Sequence, residues 1–204
     1  MIPGRVQTMN ADDPLPTDEL FVRWTEVSTF FPIMQFSYFP WNYDSPLPEI
    51  CRAYANLHEE LGDYIHHAAK QAARDGSMII SPLAAAFPGD ARGYAVDDEF
   101  LLGPDLLVAP VLDEGLEARD VWLPPGEWVD AWSDRPFGGA QTVEGHPAPC
   151  PGIPLFVRSG GAHTGELLDA LRSWRDSVEP GCVPSGVTTA TYQAGINRDL
   201  DVTG

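Results

Sequence analysis

The sequence predicts an α/β segment joined to an all-β segment: one to two βα units followed by a small antiparallel β-sandwich. Three observations carry this. Helical and strand-like apolar patterns alternate from Glu19 to Leu83, the pattern changes after Phe87 to short apolar runs, and Gly and Pro clusters separate those runs.

Met1 to Asp18 is predicted to be loop, because Pro3, Gly4, Asp12, Asp13, Pro14 and Pro16 disfavour any regular element. Leu20, Phe21, Trp24, Val27 and Phe30 then fall at helical spacing, with Asp18 or Thr17 as N-cap. Phe31 to Ser37 is short, bulky and bounded by Pro32 and Pro40, which predicts a buried strand opening into the aromatic loop Tyr38 to Tyr43. Ser45 and Pro46 start a long helix with Ile50, Tyr54, Leu57, Leu61, Tyr64, Ile65, Ala68 and Ala72 on one face, closed by Gly76. Met78 to Leu83 reads as a second buried strand, and the order helix, strand, helix, strand is that of parallel βαβ connections.

Beyond Phe87, strands are predicted at Glu99–Leu102, Leu106–Val111, Asp120–Leu123, Trp128–Trp132 and Pro154–Arg158. Gly103-Pro104, Pro124-Pro125-Gly126 and Gly138-Gly139 supply the turns between them. A helical patch from Glu166 to Asp176 precedes an end rich in Gly, Thr and Ser, where poor order is expected.

Composition narrows the function classes. The 204 residues hold 30 Asp plus Glu against 12 Lys plus Arg, a balance that repels nucleic acid and anionic membranes. Cys51, Cys150 and Cys182 lie far apart, without metal-ligand spacing or a disulfide framework. No apolar run reaches membrane-spanning length and the first residues hold no leader-like apolar stretch, so the expected compartment is the cytoplasm.

Glycoside hydrolysis needs two carboxylates about 5–10 Å apart across the scissile bond. Glu59, Glu60 and Asp63 fall on a helix, and Asp97, Asp98 and Glu99 in a loop before a strand, where solvated faces and turns account for them. His66 and His67 diverge by about 100° on a helix and do not share a ligand. No serine elbow, cysteine–histidine arrangement or phosphate cradle is present, so no catalytic residue, metal or cofactor is assigned. What remains is the end of the Phe31–Ser37 strand. Gln35 and Ser37 meet Tyr38 and Trp41 there, and polar groups beside aromatic surface suit sugars, which have apolar faces edged by hydroxyls.

At this strand a resemblance begins. Leu20-Phe21-Val22-Arg23-Trp24, Phe30 to Ser37 and Pro40-Trp41 resemble the late-barrel segment of glycoside hydrolase family 31. Arg52-Ala53-Tyr54, Met78 to Leu83, Phe87-Pro88-Gly89-Asp90, Asp98 to Val111, Leu123 to Asp130, Gly138-Gly139 and Ile153 to Gly160 continue it in order. The resemblance implies a retaining α-glycosidase, α-glucosidase or α-xylosidase-like, with a (β/α)8 barrel followed by a proximal β-sandwich. It divides the chain into a loop start (1–18), terminal βα units of the barrel (19–87), a proximal sandwich (88–160) and an unfamiliar tail (161–204).

The resemblance also implies an α-linked oligosaccharide or glycoside as ligand, contacted by Gln35, Ser37 and Trp41. The family's nucleophile and acid/base are aspartates earlier in the barrel than anything in this chain, so the chain is expected to be an inactive fragment by itself. Ser37 stands where many members have a sugar-binding His, and the sequence after Gly160 departs from the family pattern. The alternative is a non-catalytic carbohydrate-binding module, or one that completes the barrel of a partner chain.

Overall fold

The computed structural model describes residues 15–44 and 46–178. The loop expected at Met1 to Pro14, the Ser45 cap and the chain from residue 179 lie outside the described residues.

Helix α1 (Asp18–Thr29) starts where the Thr17 side chain accepts the Leu20 N–H, with Asp18 and Glu19 complementing the helix dipole. It buries a different face from the predicted one. Phe21, Val22, Thr25 and Thr29 turn inward, while Trp24 stays 45% exposed. Burial of the two threonines is tolerated because each hydroxyl donates to the carbonyl four residues back, Thr25 to Phe21 and Thr29 to Thr25, at 2.9 Å.

The predicted strand at Phe31–Ser37 does not form. The segment is irregular, with bends at residues 31–33 and 37, it belongs to no sheet, and Ile33 is 77% exposed. A strand needs a neighbour for its N–H and C=O groups, and none among the described residues lies beside this one.

The single long helix is two helices, α2 (Leu47–Glu60) and α3 (Gly62–Asp75). Hydrogen bonds continue through the junction, Leu61 N to Leu57 O and Ile65 N to Leu61 O, so the break is one residue wide, beside the weak helix former Gly62. Gly76 closes α3 in the left-handed region at φ 75°.

Strand β1 (Ile80–Pro82) leads into the short helix α4 (Leu83–Ala86). Strands β2 (Phe100–Leu102), β3 (Leu106–Val108), β4 (Ala118–Leu123), β5 (Glu127–Asp130), β6 (Pro136–Gly138), β7 (Gln141–Pro147) and β8 (Leu155–Arg158) follow, then helix α5 (Thr164–Ser177). The main sheet runs β1-β2-β3-β8-β5-β6 and β4 pairs with β7 in a ribbon. Every pairing is antiparallel, so the parallel connections expected around Met78–Leu83 are absent among the described residues. β1 instead finds its hydrogen-bond partner in β2, with Ser81 opposite Leu101.

Alternation along the strands sends side chains to two apolar layers. Leu102, Leu106, Val108, Leu155 and Val157 face α1, α2, α3 and α5. Leu101, Leu107, Phe156 and Trp128 face the ribbon, where Val121 and Leu123 complete the second layer. The main sheet and the ribbon thus pack face to face, while the segments 19–87 and 88–160 share the helical layer instead of holding separate cores.

The helical patch predicted from Glu166 to Asp176 forms α5. α5 buries Leu167, Leu168, Leu171 and Trp174, and the Trp174 indole donates to Ala53 O at 2.7 Å. Among the described residues no helix is long and apolar enough to cross a membrane.

Candidate functional site

Gln35 and Ser37 lie two residues apart on an irregular segment, and both are exposed. They line an open, largely apolar groove of about 420 Å³ whose opposite wall is the outer face of α1. Trp24 and Val27 belong to that wall, and Phe31 and Leu112 line the groove as well. Beneath the segment, Phe36 packs 6.1 Å from Phe21, centroid to centroid, which anchors it to α1. Among the described residues neither Gln35 nor Ser37 hydrogen-bonds to protein, which leaves an amide and a hydroxyl for a ligand.

Trp41 is not part of this groove. It is 71% exposed on a single 3-10 turn (Pro40–Asn42) and stacks on Phe39, rings 4.8 Å apart and 10° from parallel. The three residues grouped from sequence therefore form two features: a polar edge within an apolar groove, and a separate aromatic surface beside it.

Among the described residues four acidic side chains are buried, Glu26, Glu99, Asp105 and Asp130, and each is engaged in holding elements together. Glu26 accepts from Arg23 at 3.2 Å, from Tyr54 Oη at 3.3 Å and from the Gly152 N–H. Arg23 Nη1 and Nη2 also donate to Gly152 O, Ala148 O and Leu116 O at 2.8, 2.9 and 2.9 Å, so the Arg-Trp sequence of α1 fastens that helix to the loops flanking the ribbon. Burial pushes the Glu26 carboxyl up to about 7 despite Arg23.

Glu99, expected in a solvated turn, is instead buried against β4. It accepts from Trp122 N at 2.9 Å and Arg119 Nη2 at 3.2 Å, and desolvation raises it to about 7 as well. Asp105 Oδ2 accepts the His163 N–H at 3.2 Å, and Asp130 meets His146. Carboxyls near neutrality fit acid–base work only where substrate reaches them, and neither Glu26 nor Glu99 lines the groove. Sequence reading missed the burial of Glu26 and Glu99; the arginine three positions before Glu26 is a signal that could have found the first.

His67 and His163 contact ring to ring at 4.6 Å, and His163 Nδ1 lies 3.1 Å from Glu166. Among the described residues no three His, Cys, Asp or Glu converge as a metal site.

Residues 76–162 match the Glycosyl hydrolase family 31 C-terminal domain. Among curated proteins the chain is 43% identical over 118 residues to a myogenesis-regulating glycosidase of Mus musculus, covering 57% of this chain and 16% of that protein. It is 33% identical over 148 residues to an alpha-xylosidase of Saccharolobus solfataricus, covering 70% and 20%. Among solved structures it superposes on a GH31 alpha-xylosidase from a soil metagenome, complexed with xylose, at TM-score 0.68 and 29% identity, covering 74% of this chain and 26% of that one. The chain spans about 15–25% of the length of the curated relatives it matches.

Proposed function

We propose, from the premise that this chain is a carboxy-terminal portion of the glycosyl hydrolase family 31 type, that it supplies part of the sugar-facing wall of a retaining α-glycosidase. The observation that supports this reading is the groove: Gln35 and Ser37 offer an amide and a hydroxyl to one edge of a sugar, and Trp24 and Phe31 offer apolar surface to its face. Trp41 extends the contact outside the groove as an aromatic platform. The ligand is an α-linked oligosaccharide or glycoside, in keeping with the relatives named as xylosidases and glucosidases.

The chain does not hydrolyse by itself in this reading. The four buried carboxylates are committed to structural contacts, and the two catalytic aspartates belong to a preceding part of the barrel. Two measurements test this. Calorimetric titration with α-glucosides and α-xylosides should give weak saturable binding, and an aryl α-glycoside should not be cleaved above background. A flat titration removes the sugar wall, and cleavage removes the claim of missing chemistry.

A second reading, completion of a barrel borne by another chain or by a preceding segment, is supported by one observation. Phe31 to Ser37 pairs with no strand among the described residues and leaves its own Phe31 and Ile33 exposed, apolar surface that a neighbouring strand would cover. Co-purification of a barrel-bearing polypeptide supports this reading, and a well-behaved monomer in sedimentation argues against it.

A further inference from the structure

Arg23 and Arg119 are each held by carboxylates and backbone carbonyls, although Arg23 Nε, like Arg158 Nε, is buried without a hydrogen-bond partner. Arg23 holds Glu26 and three carbonyls; Arg119 holds Glu99, Asp98 and the Pro110 carbonyl. Arg158 differs. It ends β8, opposite Trp128 on β5, and its guanidinium carbon sits 5.2 Å from the Trp128 ring centroid and 5.0 Å from that of Phe87. Its Nε is buried without a hydrogen-bond partner, and among the described residues its side chain makes neither a hydrogen bond nor an ion pair.

A guanidinium against aromatic faces gains cation–π attraction, but its N–H groups lie in the guanidinium plane and still require acceptors. In a chain with a formal charge of −18, a partly buried arginine without a carboxylate is the exception to an abundant supply. Arg158 also lines an open cavity of about 250 Å³ between α3, β1 and the β2–β3 turn. Ser77, Ser81 and Gln71 line the same cavity and bring two hydroxyls and an amide. A planar, permanently charged fork with hydroxyl donors nearby is the chemistry that recognises carboxylate and phosphate oxygens.

We propose that Arg158, with Ser77, Ser81 and Gln71, forms a binding site for a small oxyanion. It is separate from the groove at Gln35 and Ser37, with which it shares no lining residue. Trp128, wholly buried behind the guanidinium, fixes its orientation before any ligand arrives. Asp75 accepts the N–H of the lining residue Ser77 at 2.9 Å, and its charge together with the acidic surface opposes an anion and weakens the affinity.

The test titrates the full chain with inorganic phosphate, with acetate as the carboxylate arm and chloride at matched ionic strength as control. Tryptophan emission and the phosphorus-31 line width are followed. Phosphate is expected to give a saturable emission change and a broadened line, with chloride giving neither. A response to acetate as well as phosphate identifies a general oxyanion site; a response to phosphate alone identifies one that needs a tetrahedral ion.

Arg158→Gln should weaken binding at least about tenfold, the loss of one charge-assisted contact set. Because that variant also gives up the ring contacts and can fail to fold, Ser81→Asp supplies an independent readout. It places a carboxylate in the cavity for Arg158, and should abolish the phosphate response while keeping or raising the melting temperature. Absence of a saturable response in the unaltered chain overturns the proposal, as does a response unchanged in Ser81→Asp.

Discussion

His146 Nε2 and Asp130 Oδ2 lie 2.7 Å apart with neither side chain reaching solvent, and they belong to different sheets. Asp130 ends β5 of the main sheet and His146 sits in the β7 ribbon, so the pair is a polar fastening inside the apolar layer between them. Asp130 Oδ1 also accepts the Trp132 and Ser133 N–H groups at 2.8 and 3.1 Å, which shapes the turn after β5. Removing one partner of a buried pair strands the other.

Asp130→Ala is therefore expected to cost about 3–5 kcal/mol. Asp130→Asn keeps an oxygen for the turn and should cost distinctly less. Urea denaturation of the two variants measures the difference, and equal losses would show that the turn contacts contribute nothing.

Arg23→Lys keeps the charge but not the fork that reaches Gly152, Ala148 and Leu116 at once. A loss of about 3 kcal/mol or more is expected, since the variant leaves buried carbonyls and Glu26 underserved. Thermal melts decide it; a shift of under about 2 °C would mean lysine bridges the same groups.

Stability should fall as pH rises through the neutral range. Glu26 and Glu99 move from an ordinary 4.5 to about 7 in the folded protein, so the folded state holds their protons more tightly than the unfolded state does. Their contribution is complete below about 4.5 and lost as pH climbs through 7, up to roughly 3 kcal/mol each. Melting temperatures of the unaltered chain, Glu26→Gln and Glu99→Gln between pH 5 and 8 measure this. Each Gln variant should show a shallower fall, and parallel curves would contradict the assignment.

Gly103→Ala is expected to destabilise strongly. Gly103 has φ 57°, and a Cβ there would stand 2.5 Å from the Tyr64 hydroxyl, which donates to Leu102 O and accepts the Asp105 N–H. Both strain and the displaced tyrosine contribute, about 2–4 kcal/mol together. Tyr64→Phe combined with Gly103→Ala should recover part of the loss, because the clashing oxygen is gone.

The groove residues should behave in the opposite way. Gln35→Ala and Ser37→Ala change exposed side chains and should leave stability within about 0.5 kcal/mol while weakening glycoside binding. Calorimetry with the ligand bound by the unaltered chain checks both halves of this expectation.

Most strands were readable because both faces of the main sheet are covered, which makes Leu106-Leu107-Val108 and Leu155-Phe156-Val157 continuous apolar runs. β7 was not, since Gln141 to Pro147 lies largely exposed and carries Gly145 at φ 59°. α1 was placed correctly along the chain but rotated, because aromatic spacing marks its groove side while threonines and an Arg–Glu pair form the buried side. Phe31–Ser37 misled for a related reason: local bulk announces a strand, but pairing depends on a neighbour that local sequence does not show. Of the groove, Gln35 and Ser37 stand out in the sequence as polar residues in an apolar run, whereas Trp24 does not, because its helical spacing reads as core.

The placement of β8 between β3 and β5 has a consequence for biosynthesis. The central ladder cannot close until Arg158 is made, and Arg23 must wait for Gly152, 129 residues later, to satisfy its guanidinium. At roughly 5–20 residues per second, Arg23 emerges from the ribosome on the order of ten seconds before its acceptors at Ala148 and Gly152, although α1 already has α2 to pack on. During that interval the Arg23–Glu26 pair has none of its late backbone partners, so slowing translation late in the chain would prolong a half-satisfied core and lower the yield of folded protein.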